Sequence, residues 1–183
     1  MNRRQVIFLA LATLLIMGGL GYFFTPMVRH VNIGLFLRGH FPFAWQLSIG
    51  ALTGLIIAII GWQIVLLPYL NTVKEFFINV IGGIGLNFPQ IVFVSLCAGI
   101  GEEFLFRGTV QPLLGIIPTS VLFVFIHGYL NPFNKKLFIY GIFMTISVCI
   151  LGFLTERAGI VSSMTAHTVI DVYLLSKLTF QNR

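Results

Sequence analysis

The sequence predicts an all-α membrane protein, a polytopic helix bundle with about six transmembrane helices and seven possible. Composition is the first reason: 57% of residues are hydrophobic and 9% are charged, where a soluble domain carries about 25% charged residues. Mean hydropathy is +0.99. The second reason is that apolar runs of bilayer-crossing length recur along the chain, with the charges mostly in the short connections between them. The 183 residues allow one compact bundle, read as a single integral membrane domain over 1–183. In a soluble protein the net charge of +6 would suggest nucleic acid. No basic stripe or basic helix is present here, so the expected partners are membrane lipid and no nucleic acid.

The elements follow in order. Arg3 and Arg4 precede the apolar run Val6–Phe24, which is about twenty residues long and fit to span a bilayer. It has the layout of a signal peptide but lacks a small-x-small cleavage site before Thr25-Pro26, so an uncleaved first span is expected. A polar connection from Thr25 to Pro42 carries Arg29, His30, Arg38 and His40. The second span is read as Ala44–Leu67, stopped at Pro68, with Trp45, Trp62 and Tyr69 near its ends as an interfacial belt. The segment Phe76–Leu86 is apolar but short and glycine-rich. It reads as a re-entrant or interfacial piece, or as an early turn of the next helix; a full span there would make seven.

The third span starts near Pro89, and its end decides the geometry that follows. Arg107-Gly108 looks like a terminus, but Thr109–Leu114 stays apolar apart from Gln111, and Gly115 with Pro118 is the stronger stop. The next segment, Thr119–Leu130, then folds back antiparallel. From a turn near residue 116, Glu102 lies about 21 Å along one helix and His127 about 16 Å along the other, at 1.5 Å per residue. The two side chains therefore sit at similar depth. A loop at Asn131–Lys136, a span Leu137–Thr155, a tight connection at Glu156–Gly159 and a last span Ile160–Leu178 complete the chain.

With six spans and the N-terminus inside, the cytoplasmic side receives Arg3, Arg4, Lys74, Lys135, Lys136, Lys177 and Arg183, and the other face Arg29, Arg38 and Arg157. That imbalance supports a cytoplasmic N-terminus in an integral membrane protein.

Only five residues are acidic, and two of them, Glu102 and Glu103, are adjacent inside an apolar helix. Each costs roughly 2.5–3.5 kcal/mol at a helix centre on insertion scales, which points to a purpose beyond packing. Glu103 and Arg107 are i and i+4, on one face and able to pair. Glu102 is rotated about 100° away. A carboxylate already held by arginine makes a poor base, whereas an unpaired one in a low-dielectric wall suits general-base work. Glu102 is therefore the expected base and Glu103–Arg107 the brace. A purely structural ion pair is the alternative. His127 follows Phe123 at i+4, and His167 precedes Asp171, the chain's one aspartate, at i+4. Polar groups at that depth usually line one cavity and satisfy one another, so the six residues are expected to share a site.

The pattern Glu102-Glu103-x-x-x-Arg107, Phe123-x-x-x-His127, His167-x-x-x-Asp171 resembles the three motifs of the CPBP family. That family takes in CAAX prenyl endopeptidases and bacteriocin-processing or immunity (Abi) proteins. The resemblance covers roughly 89–178. It implies an intramembrane endopeptidase of the glutamate type acting on membrane-associated peptides or proteins. Glu102 would activate water with help from His127, and His127 and residue 171 would polarise the scissile carbonyl. The prenyl-endopeptidase branch has asparagine where this chain has Asp171, while the bacterial branch takes either.

Other readings stay open at this stage. A non-catalytic self-immunity or scaffold protein would share the fold. A transporter would use Glu102, His127 and Asp171 as a proton path, though no inverted repeat is evident. Two glutamates, two histidines and an aspartate could hold zinc, but no HExxH helix is present and Glu103 is better used by Arg107, so no metal or cofactor is expected. Cys97 and Cys149 read as small buried hydrophobes without disulfide or zinc spacing.

Overall fold

The computed structural model describes residues 1–181, and these form helices joined by short turns. Helix α1 (Arg3–Arg29) opens on a reciprocal cap in which Asn2 and Gln5 satisfy each other's backbone N–H, and it widens to π geometry over Thr13–Met17. It runs past the expected end at Phe24, through Pro26, to His30 in the left-handed region at φ 54°. The extension has a cause: Arg29 is bonded to groups on two other helices, which fixes the last turn.

A short helix α2 (Ile33–Arg38), capped by Asn32, leads to α3 (Phe43–Val65). Segment 71–82 is one short helix, α4, α-helical over Asn71–Phe77 and π-helical over Ile78–Gly82. At roughly 1.5 Å per residue it falls well short of a bilayer. It is therefore a short piece separate from the next helix, and no seventh span forms there. Helix α5 starts at Phe88, capped by Asn87, and runs unbroken through Phe88–Glu103, the π-helical Phe104–Val110 and Gln111–Leu114.

Gly115 ends α5 at φ 85° and ψ 169°, a conformation that only glycine adopts without strain. The expected stop there, rather than at Gly108, is the one observed. Helix α6 (Ile116–Ile126) begins at once, three residues earlier than the sequence suggested, because proline is tolerated in a first turn and Pro118 sits in it. It ends at His127, followed by Gly128 at φ 78°, not at Leu130. Helices α7 (Lys135–Arg157) and α8 (Ile160–Phe180) complete the bundle.

Three helices, α1, α3 and α7, are long and apolar enough to cross a membrane by length and composition alone. Helices α5 and α8 are of comparable length but carry the polar cluster, and α6 is about half a crossing at 1.5 Å per residue. The burial pattern is that of a protein solvated by lipid. Phe8, Leu15, Leu52, Phe125 and Phe153 face outward, whereas Gln46, Glu103, Arg107 and Gln111 are buried. This is an all-α integral membrane bundle.

Helix α8 is its axis, packed against α3, α5 and α7, while α1 lies along α5. Small residues set the closest approach: a Cβ at Gly54 would come within 2.8 Å of the Cα of Ala166, and one at Gly50 would collide with the carbonyl of Ser162. Close backbone approach through small residues substitutes for a hydrophobic driving force in lipid. Gly54→Val is expected to push α3 off α8 and cost about 1–3 kcal/mol or more, read as a lowered unfolding temperature in detergent.

The helix directions gather Arg3, Arg4, Lys74, Lys135, Lys136 and Lys177 at one end and Arg29, Arg38 and Arg157 at the other. The contacts of Arg3 with the Ile84 carbonyl and of Lys136 with the Tyr69 ring agree with this. Arg183, counted with the first group above, lies outside the described residues.

Candidate active site

Three helices deliver the polar side chains to one place: α5 brings Glu102, Glu103 and Arg107, α6 brings His127, and α8 brings His167 and Asp171. The α5–α6 turn at Gly115 does what the spacing argument required of it. Nε2 of His127 stands 3.6 Å from Oε2 of Glu102. Nε2 of His167 is 3.9 Å from the same oxygen and 3.7 Å from Oδ2 of Asp171. All six expected site residues therefore belong to one constellation.

The two glutamates have different surroundings. Glu103 is fully buried and engaged on both oxygens, accepting from Nε of Arg107 at 3.0 Å and facing Nδ1 of His167 at 3.0 Å. The Arg107 guanidinium, equally buried, also donates to Oε1 of Gln111 and to the Val148 carbonyl, each at 3.1 Å, which ties α5 to α7. A carboxylate engaged on both oxygens by an arginine and a histidine is committed to its partners and makes a poor base. Oε2 of Glu102 is buried too, yet accepts no hydrogen bond among the described residues. Its distances to the two histidines exceed hydrogen-bond length but suit groups that share one small polar molecule between them.

The histidine tautomers follow from their partners. Nδ1 of His127 lies 2.6 Å from the Phe123 carbonyl, which can only accept, so that nitrogen carries the proton. The rings of Phe123 and His127 also stack, 4.3 Å between centroids. This explains the spacing of the second motif: Phe123 orients His127 with both its carbonyl and its ring. Nδ1 of His167 faces the Glu103 carboxylate in the same way, so both Nε2 atoms are left for chemistry. His167 is thus oriented by Glu103, and the expected i+4 partner Asp171 sits instead beside its other nitrogen.

Beside Asp171 a cavity of about 90 Å³ extends toward the basic end, lined by Trp62, Phe77, Tyr129, Tyr140 and Leu174 among others. Among the described residues no group of three or more His, Cys, Asp or Glu side chains is arranged to hold a metal ion. Cys97 and Cys149 are both free thiols.

Three residues of the network were not foreseen. Gln111 lies on the 103–107–111 stripe at i+4 from Arg107, a readable signal. Arg29 and Glu156 read from the sequence as charges of the connections. They pair at 2.7 Å, and Gln111 donates to the same Glu156 oxygen at 2.7 Å. Arg29 also donates to the Arg107 carbonyl at 2.6 and 3.2 Å, within the π-helical stretch of α5. No local pattern joins residues so distant in sequence.

Residues 84–173, about half the chain and the part bearing all three motifs, match the family model described as Rce1-like, type II CAAX prenyl endopeptidase Rce1-like. The uncharacterized protein YpbD of Bacillus subtilis (strain 168) is 31% identical over 98 residues, which are 52% of this chain and 49% of that one. The chain thus spans about half the length of the relative it matches. No solved structure matches it. The family match falls on the helices that build the constellation, and it supports membership of the CPBP family.

Proposed function

We propose that the protein is an intramembrane endopeptidase of the glutamate type, hydrolysing peptide bonds in membrane-associated peptides or proteins. The observation that carries this reading is Oε2 of Glu102, buried, without a hydrogen bond among the described residues and flanked by two histidine Nε2 atoms. A water between Glu102 and His127 would be polarised by two acceptors. Glu102 takes its proton as the oxygen attacks the scissile carbonyl. A proton on Nε2 of His167 makes that nitrogen a donor to the tetrahedral oxyanion, and Glu102 returns the water proton to the leaving amine as the C–N bond breaks. Asp171 cannot donate when ionised; it serves if protonated, or as the negative partner of a charged His167. The cavity beside it offers room for a substrate side chain.

A mixture of synthetic membrane peptides, incubated with the purified protein in vesicles and analysed by mass spectrometry, tests the reading. Cleavage by the parent protein and none by Glu102→Gln is expected. Equal cleavage by a folded Glu102→Gln would remove the base assignment.

A second reading, self-immunity or scaffolding without catalysis, is favoured by the carboxylate of Asp171 where the prenyl-endopeptidase branch has an amide donor. It predicts that protection or partner binding survives Glu102→Gln.

The basic end is proposed to face the cytoplasm of a bacterial cell, as the charge imbalance and the Bacillus relative support. A cysteine replacing exposed Phe133, in a background lacking Cys97 and Cys149, should resist an impermeant thiol reagent in intact cells and react after lysis. Labelling in intact cells would reverse the orientation.

A further inference from the structure

We propose that Gln111 is a positioning residue for the site: clamped by Glu156 and Arg29 at the far end of the bundle, it holds Arg107, which holds Glu103, which holds His167. The inference rests on the endopeptidase reading for its kinetic consequence, though not for the geometry. Every link is a hydrogen bond of 2.7–3.1 Å: Arg29 to Glu156, Gln111 to Glu156, Arg107 to Gln111, Arg107 to Glu103, and His167 to Glu103. The chain starts at a half-exposed surface carboxylate, Glu156 at 40%, and ends on the imidazole whose other nitrogen faces Glu102 and Asp171.

Two further features show that Gln111 is fitted rather than merely accommodated. Its amide nitrogen also donates to the Gly152 carbonyl at 3.2 Å. Gly152 itself leaves the space: a Cβ there would lie 2.8 Å from Oε1 of Gln111 and 3.4 Å from Nη1 of Arg107. Helix α7 therefore lacks a side chain at the point where the Gln111–Arg107 contact passes. Arg29 closes the circuit through the Arg107 carbonyl, so the far-end clamp grips both the side chain and the backbone of the same arginine.

Misplacing a reacting group by about 1 Å can cost on the order of a hundredfold in rate. Gln111→Leu, Glu156→Ala and Gly152→Ala are therefore each expected to lower kcat by that order with KM little changed, using the peptide that the mixture identifies. The Nδ1–H proton resonance of His167, assigned by its loss in His167→Gln, should shift or broaden in all three by NMR in nanodiscs. Gln111→Glu alone places two carboxylates together and should lose activity. Adding Glu156→Gln restores the charge and a donor–acceptor pair between 111 and 156, without the bond to the Gly152 carbonyl, and should recover part of it, which a merely structural role would not require.

Parent-like kcat and an unmoved His167 resonance in Glu156→Ala and Gly152→Ala would overturn the proposal, as would a Gln111→Glu/Glu156→Gln protein no better than Gln111→Glu. Glu102→Gln separates the two readings: it should abolish cleavage and leave the His167 Nδ1–H resonance in place. If it cleaves normally the endopeptidase chemistry fails, while the resonance still decides the positioning network.

Discussion

Arg107→Leu loses about 3–5 kcal/mol of stability, the range found when one partner of a buried ion pair is removed. The reason is the company the guanidinium keeps. Arg107 and Glu103 are both fully buried, so the substitution strands a carboxylate in low dielectric with only Nδ1 of His167 as partner. It also leaves Oε1 of Gln111 and the Val148 carbonyl without their donors. Replacing both members, Glu103→Leu with Arg107→Leu, removes the stranded charge and often restores stability elsewhere. Here it should restore only part, since Gln111, Val148 and His167 each still lose a partner. Thermal unfolding in detergent checks both: Arg107→Leu as stable as the parent would mean that the buried pair is not what joins α5 to α7.

The second large effect is on rate. Positioned acid–base groups contribute typically about 10²–10⁴-fold, and Glu102→Gln should lose an amount in that range without loss of fold. Glutamine keeps the size and one acceptor oxygen of the side chain, and Oε2 of Glu102 bonds to no protein group whose loss would unfold the site. The contrast with Glu103 is the substance of the prediction. The adjacent carboxylate is engaged on both oxygens, so Glu103→Gln should register in unfolding temperature as well as in rate.

Much of this was legible in the sequence, for reasons that differ by element. The membrane class followed from composition, and the division of labour in the glutamate pair followed from helical rotation, since residues 102 and 103 must face different directions while 103 and 107 must share one. The depth match of Glu102 and His127 followed from placing the turn at Gly115. The role of Glu103 in orienting His167 was not legible, because it joins α5 to α8 across the bundle and no spacing rule relates residues 64 positions apart. The same holds for Arg29 and Glu156, whose position near helix ends gave them the look of topology-setting charges. Helix α1 was read too short for the same reason: the contacts that hold its last turn come from α5 and α7.

The most direct measurement is the initial rate of cleavage of one identified peptide by the parent protein and by Glu102→Gln. Both are reconstituted at equal folded amounts in vesicles of the same lipid. The account predicts steady hydrolysis by the parent and a rate lower by about 10²–10⁴-fold for the variant. Equal rates, with both proteins folded, would contradict it.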